Sequence, residues 1–474
     1  MGCFFLDKTY LIFGTGTTGR AGCLFCEKHK LNYFVADDNE NNLKNLQIDG
    51  INIDENRKIF SYNEEVLVEK KIDFLLLSPS IHSQIDKHKI VVLAEKLGIE
   101  IIADVDLFYS YLQEYNKIHN TNKKLVGITG TNGKSTTTAL TAFLLNKCNT
   151  KAIDCGNIAG SDISKNPLCI DVEKYDYFVV EMSSYNLFLM KYAKFFVGIL
   201  LNITEDHLAY HGTMENYSNA KKKLLENSEQ KVICIDDNYT KSISTELQCV
   251  KISTNGEENA DFYWQDGVFY HQDDVIFEGT FENLIGKHNI ENIFSAVVCV
   301  KNVLEKDGFN IELDDIFEKV KDFQGLKHRI QFIKIVNNIA FYNDSKGTNA
   351  DSTQKALQSF VNTDIYLIAG GQRKTAGFLF LKNDLHNVKC VFLIGEAIES
   401  FAKELTDLQV KYVKCQTMDN AVKQAYKKAL DDKNNTASDC KKVILLSPLC
   451  ASWDQYKSYE DRGDDFINIV NGLK

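Results

Sequence analysis

Apolar residues in the first quarter of the chain come in short runs, Tyr10–Phe13, Tyr33–Val35, Phe74–Leu77 and Ile101–Ala103, spaced by longer amphipathic stretches. That alternation predicts successive strand–helix–strand units and a parallel sheet. Glu114–Lys124, rich in Asn and Lys and poor in apolar residues, reads as a linker. A new strand, Leu125–Thr129, opens a second α/β pattern, with further strands predicted at Tyr177–Glu181, Val197–Asn202 and Val232–Ile235. Aromatic and polar residues alternate in Ala260–Gly279, which predicts a small β excursion, and Asn289–Leu304 has helical spacing. A third unit starts near Gly325–Arg329, with strands at Ile339–Asn343, Ile365–Gly370, Cys390–Ile394 and Lys442–Ser447 and helices such as Asp351–Phe360 and Met418–Ala429. The reading is an α/β fold of three tandem α/β domains, residues 1–119, 120–325 and 326–474.

Composition agrees with this division, since 474 residues have room for about three domains. The net charge of −11 argues against a nucleic-acid footprint or a cationic membrane-binding face. Only five of the 54 basic residues are arginines, and only three prolines occur. Such a lysine-heavy chain gives a single lysine weight only in a telling local context. Thirteen cysteines are scattered from Cys3 to Cys450, and no run approaches the roughly 18 apolar residues of a membrane span. Met1–Leu6 reads as the approach to a first strand, with no export signal. A reduced, cytoplasmic protein with no membrane insertion is expected.

Two glycine turns carry the chemistry. In the first, Gly14-Thr15-Gly16-Thr17-Thr18-Gly19-Arg20 follows a strand and precedes a helix. Its glycines let backbone approach a phosphate, and the helix N-terminus favours the negative charge. Asp37 and Asp38, at the end of the next strand, are placed to bond a ribose or a base. On this turn alone a dinucleotide dehydrogenase fits as well as any other nucleotide-binding protein. Cys23 and Cys26 lie three apart with no second pair at zinc spacing, so they read as packing residues.

The second turn, Gly130-Thr131-Asn132-Gly133-Lys134-Ser135-Thr136-Thr137, is far more specific. Successive amides of Gly130–Lys134 can wrap the β- and γ-phosphates of ATP, Lys134 adds a point charge, and Ser135 can ligate Mg²⁺. The spacing departs from the ordinary phosphate loop, because Ile128 stands where a glycine is usual. Glu181 closes one predicted strand, and Asp206 with His207 follows the next. Ligands of α/β sheets gather at such strand ends, so these three can converge on Mg²⁺ and the γ-phosphate. Each acid taken singly is more often a helix N-cap than a ligand. His207 and His211 are four apart, but no metalloprotease-type glutamate lies between them, so zinc is not expected.

The Thr129–Thr136 loop, the Glu181–Ser184 strand end and Asn202–His207, in that order, resemble the Mur ligase family. Gly286–Asn292, Gly325–Arg329 and Asn343–Asn349 strengthen the likeness. With Gly370–Lys374 and Leu446–Gln455, the last block is similar to the branch that adds D-glutamate to UDP-N-acetylmuramoyl-L-alanine. The likeness runs from Gly14 to Phe466. It implies a Rossmann-like N-terminal domain for the UDP end, a central P-loop-type ATPase domain, and a Rossmann-like C-terminal domain receiving the amino acid.

The resemblance also implies site residues. Gly14, Thr15, Gly16, Thr17, Thr18, Gly19 and Asp37 would hold the UDP end, with Asn157, Ser183 and Asn186 on the rest of that substrate. Gly130–Thr137, Asn289, Asn292, Arg329 and Asp344 would bind ATP, and Lys346 would neutralise phosphate charge. Mg²⁺ at two sites would use Ser135, Glu181, His207 and Lys221, the last carbamylated by CO₂. Asp206, Thr348, Lys374, Ser452, Trp453 and Tyr459 would hold D-glutamate. Catalysis would fall to Lys134, Glu181, His207, Lys221 and Lys346, through an acyl phosphate. A monomer is expected, and His328 with Arg329 would sit at the junction of the second and third domains. Asn186, Trp453 and Tyr459 depart from the residues usual at their positions.

Three alternatives are weaker. A folate- or tripeptide-type amide ligase would be favoured by absence of the Gly14–Gly19 turn, which is present. A nucleotide-binding regulator without turnover would show loss at Lys134, Glu181, His207 or Lys346, and all stand. A dehydrogenase does not account for the ATP-ligase motifs of the later units.

Overall fold

The structure, a computed structural model, describes residues 7–44, 46–48, 51–159, 162–257, 259–281, 283–284, 286–360, 362–373, 377–432 and 441–473. The N-terminal approach Met1–Leu6 and the candidate Lys374 lie outside them. The chain divides into two compact units, Met1–Thr280 with Ile290–Val320, and Phe281–Asn289 with Lys321–Lys474.

The first unit holds two large sheets. One has five parallel strands in the order Lys58–Ile59, Asn32–Ala36, Thr9–Phe13, Phe74–Leu77, Glu100–Ile102. Strand order reverses between Thr9–Phe13 and Phe74–Leu77, the switch point where the C-terminal strand ends splay into a crevice. Gly14 sits there with φ +91°, and a Cβ on it would lie 2.9 Å from Ser78 Oγ. The helix Thr17–His29 then buries Cys23 and Cys26, as packing residues should be.

The other sheet has nine strands, with Lys124–Thr129 between Phe195–Leu200 and Tyr177–Glu181. Tyr177–Glu181 is buried along its whole length, which is why an unbroken apolar run marks it. The expected β excursion is present as Phe262–Gln265, Val268–His271 and Asp274–Glu278, antiparallel at the sheet edge. The expected linker over Glu114–Lys124 is shorter than its composition suggested. The helix Asp104–His119 runs through its first half, stopped by Asn120 in the left-handed conformation. Asp106 on that helix accepts hydrogen bonds from the backbone N–H groups of Ala103 (3.0 Å), Lys191 (2.9 Å), Tyr192 (2.7 Å) and Ala193 (2.9 Å). One apolar core continues from Tyr10 to Leu224 across both sheets.

The second unit is a six-stranded sheet in the order Gln331–Val336, Ile339–Asn343, Lys441–Leu446, Thr363–Gly370, Val388–Ile394, Tyr412–Gln416. Only its first pair is antiparallel. Arg462, 1% exposed, anchors the last helix by donating to Ser345 O and Oγ (both 2.9 Å) and to Cys450 O (3.1 Å).

Candidate active site

The first glycine turn borders a cavity of about 650 Å³ lined by Gly14–Gly16, Asp37, Asn42 and Ser78 among others. Asp37 shapes this turn. Its carboxylate accepts from Thr15 N (2.8 Å) and Thr15 Oγ1 (2.7 Å), and on its other oxygen from Asn39 N and Asn42 Nδ2. These hydrogen bonds outweigh its partial burial and hold its pKa below the usual value. Gly19 closes the turn so tightly that a Cβ would fall 1.7 Å from Gly14 O.

A second cavity, about 340 Å³, shares the Gly16, Ser78 and Ser80 wall with the first. Thr17, Thr18, Asn157, Glu181, Ser183, Asn186 and His207 line it with Gly16, so eight sequence-predicted residues meet there. Ser183 caps the helix Ser184–Leu189 and is bonded to Asn186. Glu181 is 3% exposed; Asn157 donates to its Oε1 at 3.5 Å, while Oε2 is buried with no hydrogen-bond partner.

The second turn is built against its neighbours. Asn132 N donates to Asn202 Oδ1 (2.9 Å), and Asn202 Nδ2 reaches Glu291 (2.9 Å). Gly133 precedes the helix Lys134–Lys147 with φ +81°, and a Cβ on it would lie 2.1 Å from Asn292 Oδ1. That oxygen accepts from buried Thr137 Oγ1 (3.1 Å), so Asn292 and Thr137 act on the turn from behind.

Two lysines converge on one carbonyl. Lys134 Nζ donates to Gly130 O (3.0 Å) and Thr131 O (2.8 Å), and Lys221 Nζ donates to the same Gly130 O at 2.6 Å. Lys221 is 1% exposed. Burial first, then the Lys134 charge, drives its amine well below the ordinary lysine range, against the pull of Asp206 and Glu181. His207 lies close enough to feel Lys134 and Lys221, with its pKa lowered mainly by burial. Its Nδ1 meets Tyr185 OH at 3.1 Å and its Nε2 lies 3.4 Å from the Asp206 carboxylate.

In the second unit, Asp344 is buried and accepts from Ser447 Oγ (2.7 Å) and Ile330 N (3.3 Å), with the Arg329 charge nearby. Burial pushes its pKa up to about 7. Lys346 Nζ lies 5.8 Å from the Tyr459 ring centroid, and Leu449 N donates to Gly347 O, which brings the Lys346–Thr348 and Ser452 segments side by side. Asn289 is 8% exposed and Ser452 2%, whereas Trp453 is 62% exposed.

Several site residues escaped the sequence reading. Ser78 and Ser80 follow the strand Phe74–Leu77, and the strand-end rule that found Glu181 would have found them. Asp104 and Asn166 line the second cavity with a mutual hydrogen bond of 2.7 Å, and Tyr185 orients His207. Residues 128–300 match the Mur ligase middle domain, and residues 328–448 the glutamate ligase domain of Mur ligases. The UDP-N-acetylmuramoylalanine–D-glutamate ligase of Caldicellulosiruptor saccharolyticus is 35% identical, over 98% of this chain and 99% of its own. The enzyme of that name from Brucella abortus is 36% identical, over 98% and 96%. Among solved structures, the MurF ligase of Thermotoga maritima in complex with ADP superposes with a TM-score of 0.57 at 14% identity, covering 99% of this chain and 96% of its own. The MurC ligase of the same organism gives 0.55 at 15% identity, over 98% and 100%. Together the ordered motifs, the paired domain matches and the near-full-length relatives establish that this chain belongs to the Mur ligase family.

Proposed function

We propose that the enzyme joins D-glutamate to UDP-N-acetylmuramoyl-L-alanine, driven by ATP, in peptidoglycan precursor synthesis. The observation that carries this reading is the shared wall of the two cavities. A nucleotide end held at Gly14–Gly19 and Asp37 directs the rest of its substrate past Asn157, Ser183 and Asn186 toward Glu181, Lys134 and Lys221. The substrate carboxylate attacks the γ-phosphorus of ATP, giving an acyl phosphate and ADP. The amine of D-glutamate then attacks that carbonyl, and phosphate leaves from the tetrahedral intermediate. The first step brings two anions together, so Lys134 and the amides of the second turn offset charge and align the reactants.

The buried, unpartnered Glu181 Oε2 fits a cation, His207 lines the same cavity, and the Ser135 hydroxyl is a further oxygen donor of the kind Mg²⁺ takes. Mg²⁺ held by Ser135, Glu181, His207 and a carbamylated Lys221 would neutralise the phosphate oxygens. A lysine amine driven toward its neutral form is the nucleophile that CO₂ requires, and the product is an anion plus a released proton. Of the second unit, Asn289, Arg329, Asp344 and Lys346 are assigned to ATP, with Asn292 and Thr137 supporting the phosphate turn. Thr348, Lys374, Ser452, Trp453 and Tyr459, with Asp206 of the first unit, are assigned to D-glutamate. The domain boundaries proposed are 1–119, 120–325 and 326–474. Among the described residues no helix is long and apolar enough to cross a membrane, and the reading makes the enzyme a cytoplasmic monomer. Incubation with ATP, UDP-N-acetylmuramoyl-L-alanine and hydroxylamine, without D-glutamate, tests the chemistry. A hydroxamate of the substrate supports the acyl phosphate, and its absence with active enzyme rejects it.

A further inference from the structure

The cavity at the first glycine turn contains a cation that the family motifs do not use. Arg20 stands in the first turn of the helix Thr17–His29 and lines that cavity, and among its described lining residues it is the only lysine or arginine. Its Nε is buried with no hydrogen-bond partner. A guanidinium has donors only and stays charged, so a buried N–H without an acceptor is unfavourable unless something else binds there. Position makes this worse, because a cation at a helix N-terminus opposes the macrodipole.

The carboxylates on the same wall are committed elsewhere. Asp37 serves Thr15, Asn39 and Asn42, and Asp38 is taken by Tyr62 OH (2.7 Å), His88 Nε2 (2.7 Å) and Lys89 Nζ (3.2 Å). The turn also has fewer amides to offer than its glycine pattern suggests. Gly14 N donates to Ala36 O and Thr15 N to Asp37, both at 2.8 Å. An anion seated on this turn therefore lacks two of the donors the motif would supply, and Arg20 stands beside the gap.

We infer that Arg20 is a specificity-determining residue whose guanidinium pairs with the phosphates of the uridine diphosphate end. The planar fork of an arginine suits two phosphate oxygens at once, which a lysine does not match. This inference rests on the reading of the cavity as the UDP site.

Calorimetric titration of the full chain with UDP and with uridine tests it, in saturating Mg·ADP to occupy the second turn. Arg20→Gln should weaken UDP by about 10- to 100-fold and leave uridine unchanged, and Arg20→Lys should recover part of the loss. In turnover, R20Q should raise KM for the UDP substrate with kcat retained. Its thermal midpoint should not fall, since Nε anchors nothing in the protein. Equal UDP affinity in wild type and R20Q overturns the inference, as does a large loss of stability in R20Q. Failure of the wild type to bind UDP at all instead overturns the reading of the cavity, and the inference with it.

Discussion

Gly133→Ala perturbs the phosphate turn at the point where the structure leaves no room. Alanine at φ +81° pays about 1–2 kcal/mol for the left-handed conformation. Its Cβ would also lie 2.1 Å from Asn292 Oδ1, so that oxygen must retreat by about 1 Å or more to reach ordinary contact. Asn292 is 1% exposed and cannot swing into solvent, and its retreat breaks the 3.1 Å hydrogen bond from Thr137. Leaving that buried hydroxyl unpaired costs about 1–3 kcal/mol. Together these give roughly 3 kcal/mol, which corresponds to about a hundredfold weaker Mg·ADP binding if it is all spent on ordering the turn. Calorimetric titration in a double-mutant cycle separates the two parts. In an Asn292→Ala background the steric part disappears, so adding Gly133→Ala should cost only about tenfold, the strain alone. An equal loss from Gly133→Ala in both backgrounds would refute the role of Asn292 as the wall behind the turn.

Other outcomes follow from the same geometry. Gly19→Ala, with its Cβ 1.7 Å from Gly14 O, should displace the helix start and cost about a hundredfold in UDP affinity, measured by titration. Asp344 titrates near 7 in the fold and near 3.8 as a free side chain. It contributes stability below about pH 4 that is lost as pH rises to about 7. Thermal scans should therefore show Asp344→Asn flattening the pH dependence of the second unit and raising its midpoint at pH 8. Lys221→Ala should abolish turnover with partial rescue by short carboxylates, and ¹³CO₂ should give a carbamate NMR signal in the wild type that this variant lacks.

Much of this fold is legible because its strands are buried in parallel sheets. Tyr177–Glu181 and Ile339–Asn343 read as apolar runs ending in a polar residue, and the structure returns those limits unchanged. The strand Ala152–Gly156, which carries Asn157 to the site, gives no such signal. It lies at the sheet edge and its burial follows no simple alternation. Both glycine turns and Glu181 were visible because their chemistry is local in sequence. The convergence of Lys221 and Lys134 on Gly130 O was not, since it depends on packing between residues 91 positions apart. Nor was the commitment of Asp37 to Thr15, which turns a candidate ligand contact into a brace for the turn. Lysine abundance hid Lys221 from composition, and nothing local in the sequence marked the burial of Arg462. The expected linker misled because Asn and Lys also suit the exposed face and the end of a helix, as Asn120 does here.

Coupling of D-glutamate to UDP-N-acetylmuramoyl-L-alanine at the expense of ATP is what the ordered motifs and the two cavities imply for this chain. Phosphate release in the presence of ATP, Mg²⁺ and that nucleotide substrate, with the amino acid varied, tests it most directly. One phosphate and one amide product per ATP are expected with D-glutamate, and no stoichiometric turnover with L-lysine or meso-diaminopimelate. Turnover with either of those amino acids and none with D-glutamate would contradict it.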